Sequence, residues 1–174
     1  MKQSNGYVVV ITGDGKGKTT SAIGMAVRAA GRGLNVLIVQ FLKNAEYGEH
    51  QVLKEIKNIT VRVCGRGFCK MCGDTLPFAE HKAAACEALA YVQKQMNKYD
   101  MIILDEVNCA LLAKLLRVKD VVALIEKKPK KVHLVLTGRG APKSVIRKAD
   151  LVSEIAEIKH PFQKGFLARK GIEF

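Results

Sequence analysis

Tryptophan is absent from the chain, and aromatic residues make up only 6% of it. A surface that grips polynucleotides by stacking bases on rings therefore has little to work with. Acidic residues are also scarce, 16 against 29 lysines and arginines, which leaves a formal charge of +13. Such a charge attracts polyanions of every size. The lysines are dispersed apart from "EKKPKK" at 126–131, so a solvated basic face and a small polyanionic ligand fit the charge better than nucleic acid. No apolar run approaches the roughly 18 residues of a membrane span. No charged-then-apolar leader is visible ahead of the first strand signal, and the expectation is a cytoplasmic protein with no membrane partner. Five cysteines, an odd number, fit reduced thiols better than a disulfide framework. Also missing are a G-x-S-x-G elbow and an obvious Cys/His nucleophile pair. The expected chemistry is one that needs no nucleophile from the protein.

What is present is an alternation of two periodicities. The chain has 174 residues, of which 48% are hydrophobic, enough for one domain over 1–174 around a single core. Strand signals fall on "YVVVIT" at 7–12, "NVLIVQFL" at 35–42, "ITVRV" at 59–63, "MIILDE" at 101–106 and "VHLVLTGR" at 132–139. Helical spacing falls on 18–31, on "GEHQVLKEIK" at 48–57, on 78–97 and on "VKDVVALIEKK" at 118–128. The uninterrupted apolar strands predict burial on both faces. The fold class expected is α/β, with a mainly parallel sheet flanked by helices and ligands at the carboxyl ends of the strands. Residues 64–77 and 159–174 are irregular, mixing glycine, aromatic and basic residues, and loops of that length are usually functional or mobile.

The first strand runs into "GDGKGKTT", Gly13 to Thr20, and then a helix. A glycine-rich turn at a helix N-terminus gathers backbone N–H groups onto an anion. Gly13, Gly15 and Gly17 permit close backbone approach, Lys18 can reach phosphate oxygens, and the Thr19 hydroxyl can ligate Mg²⁺. The loop is one residue tighter than the common G-x-x-x-x-G-K-S/T pattern. Asp105 and Glu106 close the apolar strand "MIILDE", where a carboxylate can hold the metal or its waters beside the phosphates.

Cys64, Cys69 and Cys72 lie within nine residues and raise a metal reading. No fourth ligand is visible nearby, and Cys86 and Cys109 would have to arrive through the fold. His50, His81, His133 and His160 show no H-x-x-x-H pairing. Ordinary thiols and no histidine metal site are expected, and whether the three cysteines bind metal stays open.

Taken together, "TGDGKGKTTSAIGMAVRAAGRG", "VLIVQFLK" followed by "GE" at 48–49, "MIILDEVN", "LVLTGRG" and "ADLVSEIAEIKHPFQKGFLARKGIEF" resemble, in order, the blocks of ATP:corrinoid adenosyltransferases of the CobA/BtuR/CobO type. The shortened loop resembles that family's own variant. The resemblance implies a P-loop, RecA-like domain that transfers the 5′-deoxyadenosyl group of ATP to the Co(I) centre of a reduced corrinoid, cobalamin or a precursor, and releases triphosphate. It implies that Gly13, Asp14, Gly15, Lys16, Gly17, Lys18, Thr19 and Thr20 bind the triphosphate with Arg139 nearby. It also implies that Thr19 with Asp105 or Glu106 serves Mg²⁺, that Lys18, Thr19 and Glu106 carry catalysis, and that Phe68 meets the corrinoid. The family holds ATP reversed relative to kinases, with C5′ facing the corrinoid, and the resemblance implies the same here. A flavodoxin-like or other reductase supplying Co(I), and a homodimer, are implied as partners. Two departures stand out: "GRGFCK" has Lys70 where many members have tryptophan, and only "MKQSNG" precedes the first strand, so a short or absent N-terminal lid is expected. The alternatives are another P-loop kinase or nucleoside-handling ATPase, and a basic nucleotide-gated binding module.

Overall fold

Five of the chain's apolar runs and one short exposed strand lie side by side in a single sheet. The structure, a computed structural model, describes residues 5–44, 47–67, 69 and 74–172. The strands are β1 (Val8–Thr12), β2 (Val36–Gln40), β3 (Ile59–Val63), β4 (Met101–Asp105), β5 (His133–Thr137) and β6 (Leu151–Glu154), in the order β3-β2-β4-β5-β1-β6. Every pairing is parallel. All five positions of β1, β2 and β4 are buried, because helices cover both faces and leave no polar side for alternation to mark.

The sheet's two faces use alternate residues of the same strands. On one face Val8, Val10, Leu37, Val39, Ile102, Leu104, Leu134 and Leu136 join a core with α3 (Phe78–Gln95), α4 (Val107–Leu112) and α5 (Val118–Glu126). On the other, Val9, Ile11, Ile38, Ile103 and Val135 pack with Ala22, Ala26 and Ala29 of α1 (Lys18–Ala30) and Leu53 of α2 (Gly48–Leu53). Alanines three and four apart make a narrow stripe that lets α1 lie close to the sheet. β1 and β4 flank β5, so the turns leaving β1, β4 and β5 emerge together at the carboxyl edge.

The sequence reading anticipates these elements to within a few residues, apart from a short helix α6 (Lys143–Ile146) that it does not include and three further differences. First, α4 begins immediately after β4, because Glu106 takes a left-handed conformation (φ 62) that turns the chain within one residue. Second, β6 is a sheet edge whose four residues are all exposed, so it carries no buried apolar run to read. Third, helix α2 covers only the first part of "GEHQVLKEIK". Among its described residues the tail beyond β6 holds one short 3₁₀ turn, Pro161–Lys164. Among the described residues no helix is long and apolar enough to cross a membrane.

Leu104 is fully buried at the centre of the sheet. Leu104→Ala is expected to cost about 2–5 kcal/mol of stability, read as a lower urea midpoint with unchanged slope.

Candidate functional site

At the carboxyl edge, the loop after β1 bends through Gly13 (φ 96) and Gly17 (φ 114) before α1 begins at Lys18. L-residues rarely adopt such φ values, which is why glycine stands there. Gly13 and Gly15 have a second reason. A Cβ on either would lie within 2.4 to 2.5 Å of the Ile155 or Ala156 carbonyl oxygen. The chain leaving β6 runs against the loop and accepts a hydrogen bond from Gly15 N–H through Ile155 O at 2.8 Å. The close approach that these glycines allow is therefore to the protein's own backbone as well as to any phosphate.

Lys18 is 8% exposed, and its Nζ donates to Gly15 O at 2.6 Å. Burial, and then the neighbouring charge of Arg139, hold its pKa below the ordinary lysine value. The Arg139 guanidinium reaches across to the same loop: Nη2 donates to Asp14 O at 3.2 Å, and Nε lies 3.8 Å from Asp14 Oδ1. Gly138 (φ 122) admits no Cβ, which would meet Cys109 N at 2.9 Å, and so sets where Arg139 departs. The Asp14, Lys16 and Thr20 side chains are exposed at the loop. Two cations thus converge on a glycine loop at a helix start, an anion cradle in need of negative charge.

Asp105, 1% exposed, organises the other half of the site. Its Oδ1 accepts from the hydroxyls of Thr19 at 2.8 Å and Thr137 at 2.7 Å. Its Oδ2 accepts from Gln40 Nε2 at 3.0 Å and lies 3.6 Å from Lys43 Nζ. Because the Thr19 hydroxyl spends its proton on Asp105, the Thr19 oxygen keeps lone pairs for a cation. This donor set, a hydroxyl oxygen and a carboxylate beside a phosphate cradle, fits Mg²⁺.

A buried relay continues behind Gln40. Its Oε1 lies 2.6 Å from His50 Nε2, and His50 Nδ1 accepts from Tyr47 N–H at 2.9 Å. With Nδ1 an acceptor, the proton sits on Nε2 and points at Gln40, which turns the Gln40 amide N–H toward Asp105. Lys43 adds a parallel arm, bonded to Glu49 Oε1 at 2.8 Å.

Glu106 differs from its neighbour. Its N–H donates to Thr137 Oγ1 at 3.0 Å, and burial raises the carboxyl's pKa above the ordinary range. The Cys109 thiol beside it is pushed up to about 12, by burial first and then by the Glu106 charge. Of the two acids proposed for the metal, Asp105 is the one hydrogen-bonded to Thr19.

The structure brings Lys18, Thr19, Asp105, Glu106 and Arg139 together around the loop. Gln40, Lys43, His50 and Thr137 join them and were not anticipated. A polar residue closing each of two apolar strands, Gln40 and Thr137, was the signal available. Phe68, Lys70 and Cys72 lie outside the described residues.

A wholly parallel sheet with this loop at its carboxyl edge defines a P-loop nucleotide-binding domain of the RecA-like class. The same fold is found in a KaiC-like protein of Pyrococcus horikoshii, at TM-score 0.53 and 15% identity over 87% of this chain and 73% of that one. The family model for the ATP:corrinoid adenosyltransferases BtuR/CobO/CobP matches residues 4–174. Corrinoid adenosyltransferases of Pseudomonas aeruginosa and Escherichia coli K12 are 36% and 34% identical to this chain, across 99% of it and 86% and 88% of their own lengths. One from Salmonella typhimurium is 34% identical over the same shares. The chain belongs to the ATP:corrinoid adenosyltransferase family.

Two outcomes are expected. His50→Ala leaves the Gln40 carbonyl and the Tyr47 N–H without their partner, and should lower stability by about 1–3 kcal/mol in urea unfolding while weakening Mg·ATP binding. For Lys18, the folded-state pKa lies below the unfolded value of 10.5. The native state then binds fewer protons there, so the cost of the buried charge is present at neutral pH and is relieved only as pH rises through the depressed value toward 10.5. Lys18→Met should therefore abolish ATP binding by calorimetry, while the nucleotide-free variant melts no lower than wild type at pH 7.

Proposed function

We infer that this chain is an enzyme that transfers the adenosyl group of ATP to a corrinoid. One observation carries the reading: a family match over nearly the whole chain coincides with an intact phosphate loop whose lysine, threonine and acidic partner are assembled. The finer reading is that the acceptor is Co(I) in a reduced corrinoid and that triphosphate is the leaving group. The cobalt–carbon bond forms at C5′ as the C5′–oxygen bond breaks, and the electron pair leaves with the triphosphate. Co(I) is itself the attacking atom and carries no proton to remove, so the step asks no activated nucleophile of the protein.

The protein's tasks are then alignment and stabilisation of the leaving group. Lys18 exchanges its bond to Gly15 O for a phosphate oxygen, and Arg139, freed from Asp14, meets the same charge. The loop amides of residues 13–20 complete the cradle. Mg²⁺, when bound, would neutralise triphosphate charge; Thr19 would hold it and Asp105 would orient Thr19. The Glu106 carboxyl, buried beside Cys109 and close to Lys18, would add negative charge for the cation. Phe68 is assigned to the corrinoid, whose lower face would have to be handled with Lys70 in place of the tryptophan many members carry. The chain is read as a single domain over 1–174, working in the cytoplasm as a homodimer with a flavodoxin-like or other reductase delivering Co(I).

Anaerobic incubation with ATP, Mg²⁺ and chemically reduced cobalamin tests this. A light-sensitive cobalt–carbon product and triphosphate should appear in equal amounts. ADP in place of triphosphate, or no alkylated corrinoid, would overturn the reading.

A further inference from the structure

The segment between β3 and α3 gathers three side chains that nucleotide chemistry does not use. Cys69 lies in the segment itself, Asp74 just before α3, and His81 in the first turn of α3. Their sulfur, carboxylate oxygen and imidazole nitrogen all lie within 4.8 Å of one another. His81 is 2% exposed, and its Nε2 is 3.0 Å from Asp74 Oδ1. The same oxygen accepts from Leu76 N–H at 3.2 Å, which anchors the carboxylate at the turn into the helix. Cys69 is half-buried and packs against the core on this face of the sheet.

We propose that Cys69, Asp74 and His81 form a binding site for a divalent cation of the zinc class, tying the segment that leaves β3 to the start of α3. The donor types select the cation. A thiolate with an imidazole is a soft to borderline set that suits Zn²⁺ and disfavours Mg²⁺ and Ca²⁺. Charge agrees: a thiolate and a carboxylate together neutralise a doubly charged ion, and two of the three side chains are already largely out of water. Distance also agrees. Donors bound tetrahedrally at about 2.0–2.3 Å stand roughly 3.3–3.8 Å apart, so the His81–Asp74 pair at 3.0 Å is already within reach and Cys69, at most 4.8 Å away, has only a short distance to close. Cys69 sits in a stretch without helix or strand among its described residues, where a rotamer change supplies that movement.

Binding has a defined proton balance. The Cys69 thiol gives its proton to solvent, and His81 turns its Nε2 lone pair to the cation with its single proton on Nδ1, replacing the bond to Asp74. The cation is a structural tie, so this inference is independent of the adenosyl-transfer reading.

The test uses the full chain, purified under reducing conditions, stripped with a chelator and titrated with Zn²⁺ alone and with Co²⁺ alone. One equivalent should bind per chain, with thiolate-to-cobalt charge-transfer absorption and a raised melting temperature in Zn²⁺. Cys69→Ser should abolish the charge-transfer band, and His81→Gln should weaken Zn²⁺ binding by at least about tenfold. Cys86→Ser, on the exposed face of α3, should leave both unchanged. Cys69→Ser removes no fully buried group and is read by itself if His81→Gln fails to fold. Failure of the wild-type chain to bind either ion, or a charge-transfer band that survives in Cys69→Ser, would overturn the proposal and leave His81 and Asp74 as a hydrogen-bonded clamp on the helix start.

Discussion

A single buried carboxylate holds the working edge of this protein together. Asp105 has almost no contact with water, and an ionised acid in that position is tolerable only with dense compensation. It receives that from Thr19 on α1, Thr137 on β5, Gln40 on β2 and Lys43 just beyond β2. Elements distant in sequence are thereby made to agree on the position of one group. The phosphate loop inherits its orientation from this agreement, because Thr19 stands at the head of the helix that the loop caps. Behind it, neutral His50 and the Gln40 amide can satisfy each other in only one arrangement. That arrangement carries order from the start of α2 into the nucleotide site.

The loop itself is under a second constraint. Gly15 N–H is bonded to Ile155 O, and the backbone leaving β6 lies too close to Gly13 and Gly15 for either to carry a Cβ. An exposed edge strand with little core of its own therefore sets the outer wall of the phosphate cradle. The stretch that leaves β6 near the C-terminus thereby takes part in a phosphate loop that lies within the first 20 positions. Lys18, Arg139 and Asp14 form the remaining wall: the two cations bond to the loop's own carbonyls, and Arg139 lies beside Asp14. Burial makes the Lys18 ammonium costly. A site built to lower the energy of a developing polyanion stores positive charge in advance of its ligand.

Local patterns made the fold and half of the site legible. Five apolar strands, the helix after the phosphate loop and the long alanine-rich helix follow from period-2 and period-3.6 repeats, which depend only on neighbours along the chain. "GDGKGKTT" and the acids closing "MIILDE" are likewise local, because strand-turn-helix geometry dictates where glycine, lysine and a carboxylate must stand. Edge strand β6 escaped because exposure on both sides leaves no apolar signature, and α4 because one left-handed residue, Glu106, starts it without a spacer.

Tertiary structure alone decided which residues serve Asp105. Nothing in the spacing of Gln40, Lys43, His50 and Thr137 joins them, since a hydrogen bond between parallel strands or across a crossover depends on sheet order and register. The same holds for Cys69, Asp74 and His81, whose separations match no compact ligand motif until α3 folds back and presents His81. Sequence by itself determined that there would be a phosphate cradle at the end of a buried strand. Packing determined which of two adjacent acids faces Thr19, because a strand's last residue and the residue that turns out of it point to different sides of the sheet.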